Sequence, residues 1–246
     1  MADLVLDNGN TLLKIAVFKQ DEICWIDRRK VADIEHILQE IPQEYSNTID
    51  RIALSNVGSL SKETLAHLKT IAPVLEIDKS LRFPFKNDYK TPETLGIDRM
   101  VLASGALAVN QGKLPVLIID AGTCITYDFV NSKGRYQGGI IAPGVQMRYK
   151  AMHQYTHALP MLQPENLDKP IGQSTAECMH LGVMRGVYHE TQAYLDEFQQ
   201  NNKSLTIFLT GGDAKWLSEK LKNHIFADPN LLLKGLKHLL DLNMPA

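Results

Sequence analysis

LVLDNGNTLLKIAVF at residues 4–18 and LIIDAGTCITYDFV at residues 117–130 follow one template: an apolar strand, an aspartate, one residue, a glycine, a short polar step, and a second strand. An Asp-x-Gly turn between two strands is ordinary hairpin chemistry, so neither copy alone decides anything. Two copies, with Asp120 following Asp7 by close to half the chain, predict an internal repeat: two similar domains whose hairpins face each other across a cleft. A tight turn at Gly9-Asn10 or Gly122-Thr123 lets backbone N–H groups converge without side-chain obstruction, and such a nest binds phosphate oxygens. A carboxylate at the strand end beside it can hold a cation. Mg²⁺ in particular prefers one or two carboxylates with phosphate oxygens and waters. The pair therefore reads as a nucleotide-triphosphate clamp.

The familiar alternatives are disfavoured. No GxxxxGK[ST] occurs: Gly105 to Gly112-Lys113 has the wrong spacing and Leu114 follows it. No strand-GxGxxG-helix fingerprint occurs either. Among the eight histidines, His153 and His157 stand i, i+4, but no zinc-type spacing accompanies them.

Outward from the hairpins, strands alternate with helical stretches, which predicts an α/β fold. Strands are expected at 4–6, 12–18, 22–27, 51–54, 116–119, 124–130, 136–141 and 205–209. Helices are expected at 34–41, 62–71, after Asp98 up to Gly112, 174–198, after Gly211-Gly212-Asp213, and 230–240. Residues 83–94, FPFKNDYKTPET, read as a loop. The pattern restarts at Pro115, giving expected domains 1–113 and 114–246, each with one hairpin.

With 26 Lys and Arg against 28 Asp and Glu, net charge −2, the composition argues against a general nucleic-acid binder. Three cysteines without a CxxC suit a reducing compartment. The early acids and short apolar run of MADLVLDNGNTLLK predict no secretory leader, and no apolar stretch approaches the ~20 residues of a membrane span. A cytoplasmic protein is expected.

Further glycine-rich elements are Thr210-Gly211-Gly212-Asp213, which allows close approach of a flat ligand or a phosphate, and Gly138-Gly139 leading to Pro143-Gly144. LDNGNT, LGIDR, DAGT, GGxIxPG and TGGD, in this order, resemble the type III pantothenate kinases. These belong to the acetate and sugar kinase, heat-shock ATPase and actin superfamily. The resemblance runs from Asp7 to Asp228-Pro229-Asn230-Leu231, and Gly96-Ile97-Asp98-Arg99 preceded by Tyr89 narrows it to the family.

The resemblance implies two ribonuclease H-like (actin-like ATPase) domains flanking an ATP cleft. It implies phosphorylation of pantothenate by ATP, the entry to coenzyme A synthesis. The first phosphate hairpin would be Asp7, Asn8, Gly9, Asn10, Thr11, Leu12, Leu13 and Lys14, with Asp7 near Mg²⁺ through water. Thr123, Gly211 and Gly212 would contact ATP, and Asp120 would hold the monovalent cation, K⁺ or NH₄⁺. Gly96, Ile97, Asp98, Arg99, Tyr89 and Thr175 would form the pantothenate site, with Asp98 as catalytic base. A homodimer is implied, with the stripe Cys178, Leu181, Met184, Val187 and Tyr188 serving as core or as dimer contact. The residues alone leave Asp98 open as a helix cap and Arg99 as a surface ion-pair residue. Another kinase or phosphatase of the superfamily, or a non-enzymatic transcriptional accessory protein, are the alternatives.

Overall fold

The β1–β2 hairpin, Ala2–Asn8 and Leu13–Lys19, pairs antiparallel with Asp7 opposite Lys14. Every residue of β1 is buried, so its unbroken apolar run reflects coverage on both faces. These coordinates are a computed structural model describing residues 2–9, 12–29, 34–56, 60–221 and 224–245. The hairpin residues Asn10 and Thr11 lie outside the described set. β3 (Glu22–Arg29), α1 (Ile34–Glu40), α2 (Gln43–Ser46), β4 (Ile49–Asn56), α3 (Lys62–Ile71) and β5 (Val74–Glu76) follow. The sheet order is β3-β2-β1-β4-β5, antiparallel on the hairpin side and parallel from β1 to β5. Leu4, Leu6, Ile15, Val17, Ile37, Ile52 and Leu68 form its core on one face. α4 (Ile97–Val109) is apolar on nearly all sides and correspondingly buried from Arg99 to Leu107. This unit takes residues 1–86, 90–112 and 230–246.

The second unit takes residues 87–89 and 113–229. Its elements are β6 (Lys86–Asn87), β7 (Val116–Ala121), β8 (Cys124–Val130), β9 (Arg135–Pro143), α5 (Val145–Gln154), α6 (Thr175–Asn201), β10 (Thr206–Thr210), α7 (Ala214–Lys220) and β11 (Phe226–Ala227). The order β11-β10-β7-β8-β9-β6 repeats the first sheet: an antiparallel meander, then parallel strands. The core joins Leu117, Ile119, Ile125 and Tyr127 of the sheet to Val183, Val187 and Leu195 of α6 and Leu217 of α7. Tyr127 keeps its buried hydroxyl satisfied on Thr191 at 2.8 Å, and burial pushes its pKa up to about 12. Ser174 caps α6 by accepting from the Glu177 N–H. The helix at α5 was not expected from the sequence; it buries only Val145 and Tyr149, a stripe too narrow to register as a period.

The last helix, α8 (Leu231–Asn243), belongs to the first unit, so one cut after residue 113 does not describe the chain. Its leucines pack on α4 and the first sheet, and two glycines set the approach. A Cβ on Gly105 of α4 would stand 2.3 Å from the Leu231 carbonyl oxygen, and one on Gly235 would stand 2.1 Å from that of Val101. A charge cluster fixes the far side: Arg51 pairs with Asp3 at 2.7 Å and with Asp241 at 2.8 Å, and buried Lys237 lies 3.3 Å from Asp3. These carboxylates hold the Arg51 guanidinium firmly protonated.

Candidate active site

In the first unit, Asp7 ends β1 and is only 7% exposed. Burial pushes its carboxyl above the usual range; Lys14, 3.5 Å away across the strand pair, pulls it down, and the charge of Asp98 pushes it up again. The Ser55 hydroxyl also hydrogen-bonds it. Asn8 is wholly buried and donates to the Asn56 side chain at 2.7 Å, while the Gly9 N–H bonds the Leu12 carbonyl and closes the turn. Ser55 and Asn56 were missed in the sequence. Their signal was the apolar strand Ile52-Ala53-Leu54 ending in two small polar residues, as Leu4-Val5-Leu6 ends in Asp7-Asn8. Leu12 is exposed at the turn, whereas the Leu13 side chain is in the core, leaving only its backbone for a ligand.

Asp98 is exposed in the first turn of α4, where the helix N-terminus favours a carboxylate. It is not the N-cap: Gly96 holds that place, and the Asp98 carboxylate accepts from the Arg99 N–H at 2.8 Å. The bare Gly96 leaves it room, since a Cβ there would lie 2.4 Å from Asp98 Oδ1. Arg99 is buried at 6% exposure, which removes the surface ion-pair reading. Asp7, Asp98 and Lys14 thus share one electrostatic neighbourhood.

In the second unit, Asp120 ends β7 half-exposed, and the residue opposite it is neutral Thr126. Thr123 is exposed at the turn, and its carbonyl accepts from the Gly144 N–H. Gly211 and Gly212 follow β10, whose Thr210 pairs with Asp120, and the Asp213 N–H donates to the Ala121 carbonyl at 3.0 Å. Gly211 has φ +97, and a Cβ there would fall 2.5 Å from both the Ala121 carbonyl and Asp120 Oδ1. The cradle around the Asp120 carboxylate exists because that atom is absent. Burial raises the Asp213 carboxyl.

Tyr89 belongs to the second unit, not to the helix that carries Asp98. Thr175 is exposed at the start of α6 and lines a groove of about 660 Å³ with Gln173, Ser174 and Cys178. His153 bonds the Leu159 carbonyl, a loop-fixing role. Among the described residues, no three His, Cys, Asp or Glu side chains gather as a metal cage. A divalent ion carried mainly by phosphate oxygens and water needs no cage, and Asp7, at a strand end beside the hairpin turn, is the carboxylate that could lie near one. Among the described residues, no helix is long and apolar enough to cross a membrane.

The model of the type III pantothenate kinase family matches residues 3–197. A type III pantothenate kinase of Flavobacterium psychrophilum is 42% identical over 240 residues, 96% of this chain and 97% of that protein. Among solved structures, a Campylobacter jejuni protein assigned to the Baf family of transcriptional activators superposes with TM-score 0.61 at 24% identity, covering 97% of each chain. A ROK family glucokinase from Streptomyces griseus, solved with glucose and AMPPNP, superposes with TM-score 0.53 at 11% identity, covering 100% of each chain. At these identities the structures speak for the fold alone, an α/β fold of two ribonuclease H-like domains. The family match and the near-complete coverage of its members settle the affiliation: the chain belongs to the type III pantothenate kinase family.

Proposed function

We infer that the protein catalyses ATP-dependent phosphorylation of pantothenate to 4′-phosphopantothenate, the first step of coenzyme A biosynthesis. The observation that carries this reading is the exposed Asp98 carboxylate at the start of α4, within electrostatic range of buried Asp7. Phosphoryl transfer passes through a loose transition state, so a protein contributes mainly by orienting the nucleophile and managing charge. Asp98 accepts the proton of the 4′-hydroxyl and aligns it; such help is worth about 10²–10⁴-fold. Arg99 offers its fork to the pantothenate carboxylate, and Gly96, Ile97, Tyr89 and Thr175 are assigned as further pantothenate contacts.

The hairpin from Asp7 to Lys14 receives phosphate oxygens on its backbone N–H groups, and Thr123, Gly211 and Gly212 contact ATP. A kinase of this kind uses a divalent ion with ATP, which we assign as Mg²⁺ near Asp7 through water. K⁺ or NH₄⁺ is assigned to Asp120, where Thr126 stands in the place that Lys14 takes in the first hairpin. When bound, these cations neutralise charge on the triphosphate. Homodimerisation is assigned to the outer side of α6 around Cys178, Leu181 and Tyr188; Met184 and Val187 of the same stripe are in the core. None of the three cysteines is in a disulfide, which suits work in the cytoplasm.

The test is ADP release coupled to a reporter, with ATP, Mg²⁺ and K⁺, in the presence and absence of pantothenate. Pantothenate-dependent turnover is the expected result. ATP binding without turnover, or turnover confined to another acceptor in a labelled-ATP screen, overturns the assignment.

A further inference from the structure

Within the expected loop 83–94, Asn87 to Tyr89 folds with the second unit, and the structure shows what holds it. The Asp88 N–H donates to the Tyr136 carbonyl at 2.9 Å, and the Tyr89 N–H donates to the Asn87 side chain at 2.9 Å. The Asp88 carboxylate is gripped by Nε and Nη2 of Arg135, a fork-to-carboxylate pair. The Tyr89 ring lies 6.4 Å from that of Tyr136 at 54°, and the Tyr136 hydroxyl is itself anchored on buried Asp128. Under the ring is Gly138, at φ +96, where a Cβ would come within 2.9 Å of both Cδ2 and Cε2 of Tyr89. Its neighbour Gly139 differs: a Cβ there would strike the Tyr127 carbonyl at 1.5 Å, so that glycine serves the sheet itself. Gly138 serves the ring.

We propose that Gly138 and the Asp88–Arg135 pair are positioning residues that seat the Tyr89 ring for pantothenate, so that strand β9 sets the fit of the acceptor. The proposal rests on the reading above that Tyr89 contacts pantothenate. A methyl at position 138 must push the ring off its seat, because its nearest contacts are ring carbons of Tyr89. Loss of either charge of the half-exposed pair frees the segment that carries the ring without touching the substrate.

The experiment measures kcat and both KM values for Tyr89→Ala, Gly138→Ala, Arg135→Gln, and the swap Asp88→Arg with Arg135→Asp. Tyr89→Ala is expected to raise the KM for pantothenate about tenfold or more, the scale of losing a buried aromatic contact. Gly138→Ala should raise it roughly tenfold and Arg135→Gln about threefold to fivefold, with kcat and the KM for ATP changed less than about twofold. The swap should restore much of the Arg135→Gln loss. Combined with Tyr89→Ala, Arg135→Gln should add nothing, because the group it positions has gone. Should Gly138→Ala lower stability through its backbone, the Arg135 variants still decide. An unchanged KM in Tyr89→Ala overturns the contact reading and the proposal with it. A raised KM there, with Gly138→Ala and Arg135→Gln unchanged or additive on Tyr89→Ala, overturns the positioning proposal and leaves the contact standing.

Discussion

The two hairpins share a template and a strand order, yet their aspartates live differently. Asp7 is nearly sealed, faces Lys14 across the strand pair, and feels the charge of Asp98. Asp120 is half-exposed, faces neutral Thr126, and sits in a cradle that depends on Gly211. The two turns differ in burial first and in the residue opposite the aspartate second. The first copy carries its own cation and a neighbouring acid suited to chemistry. The second has a half-exposed carboxylate opposite Thr126, with Gly211 leaving room beside its Oδ1.

Several substitutions would break or sharpen this contrast. The largest effect is expected from Asp98→Asn, which keeps the shape of the α4 start and removes the proposed proton acceptor. Steady-state kinetics should register a kcat fall of about 10²–10⁴-fold with little change in the KM for ATP. A variant with near-native kcat would falsify the base assignment.

Gly211→Ala attacks the second hairpin alone. With φ +97 and a Cβ 2.5 Å from Asp120 Oδ1, it should cost roughly 1–3 kcal/mol in denaturant unfolding and displace the carboxylate. Activation by K⁺ should disappear with it, and a variant that kept native activation would detach Asp120 from the cation.

Thr126→Lys converts the second hairpin toward the first. Activity measured with and without K⁺ or NH₄⁺ should become nearly independent of the added ion. An undiminished ratio would mean that the cross-strand residue does not distinguish the two copies.

The smallest effect is thermal. Because burial raises the folded-state pKa of Asp7, the folded chain binds more protons than the unfolded one between the ordinary carboxylate value and the raised one. Stability therefore falls as pH rises through that window and stays lower above it. Asp7→Asn should melt a few degrees higher than the native protein at pH 7, with the gap closing as pH falls toward 4, although its activity is lost. A melting temperature below native at neutral pH would mean that the Lys14 pair outweighs burial.

Much of the architecture was legible because hairpins and capped helices are written locally: apolar runs punctuated by Asp-x-Gly, and Ser174 before α6. What escaped depends on distant partners. β6 and β11 are two residues each and exist only by pairing with neighbours. Tyr89 stands close in sequence to Gly96-Ile97-Asp98-Arg99, so its membership of the other unit becomes visible only through Arg135, Tyr136 and Gly138. The site acids were readable as acids at strand ends. Their unequal surroundings were not, since the hydrogen bond from Ser55 and the charge of Asp98 reach Asp7 from other elements.

The return of α8 to the first unit also orders events during synthesis. Domains fold largely as units while the chain emerges at ~5–20 residues per second. The second unit has nearly all its residues once 229 has left the ribosome, whereas the first must wait, its α4 leucines and Gly105 uncovered, for residues 230–246. The half that is translated first is the half that is finished last, and it is the one carrying Asp7 and Asp98.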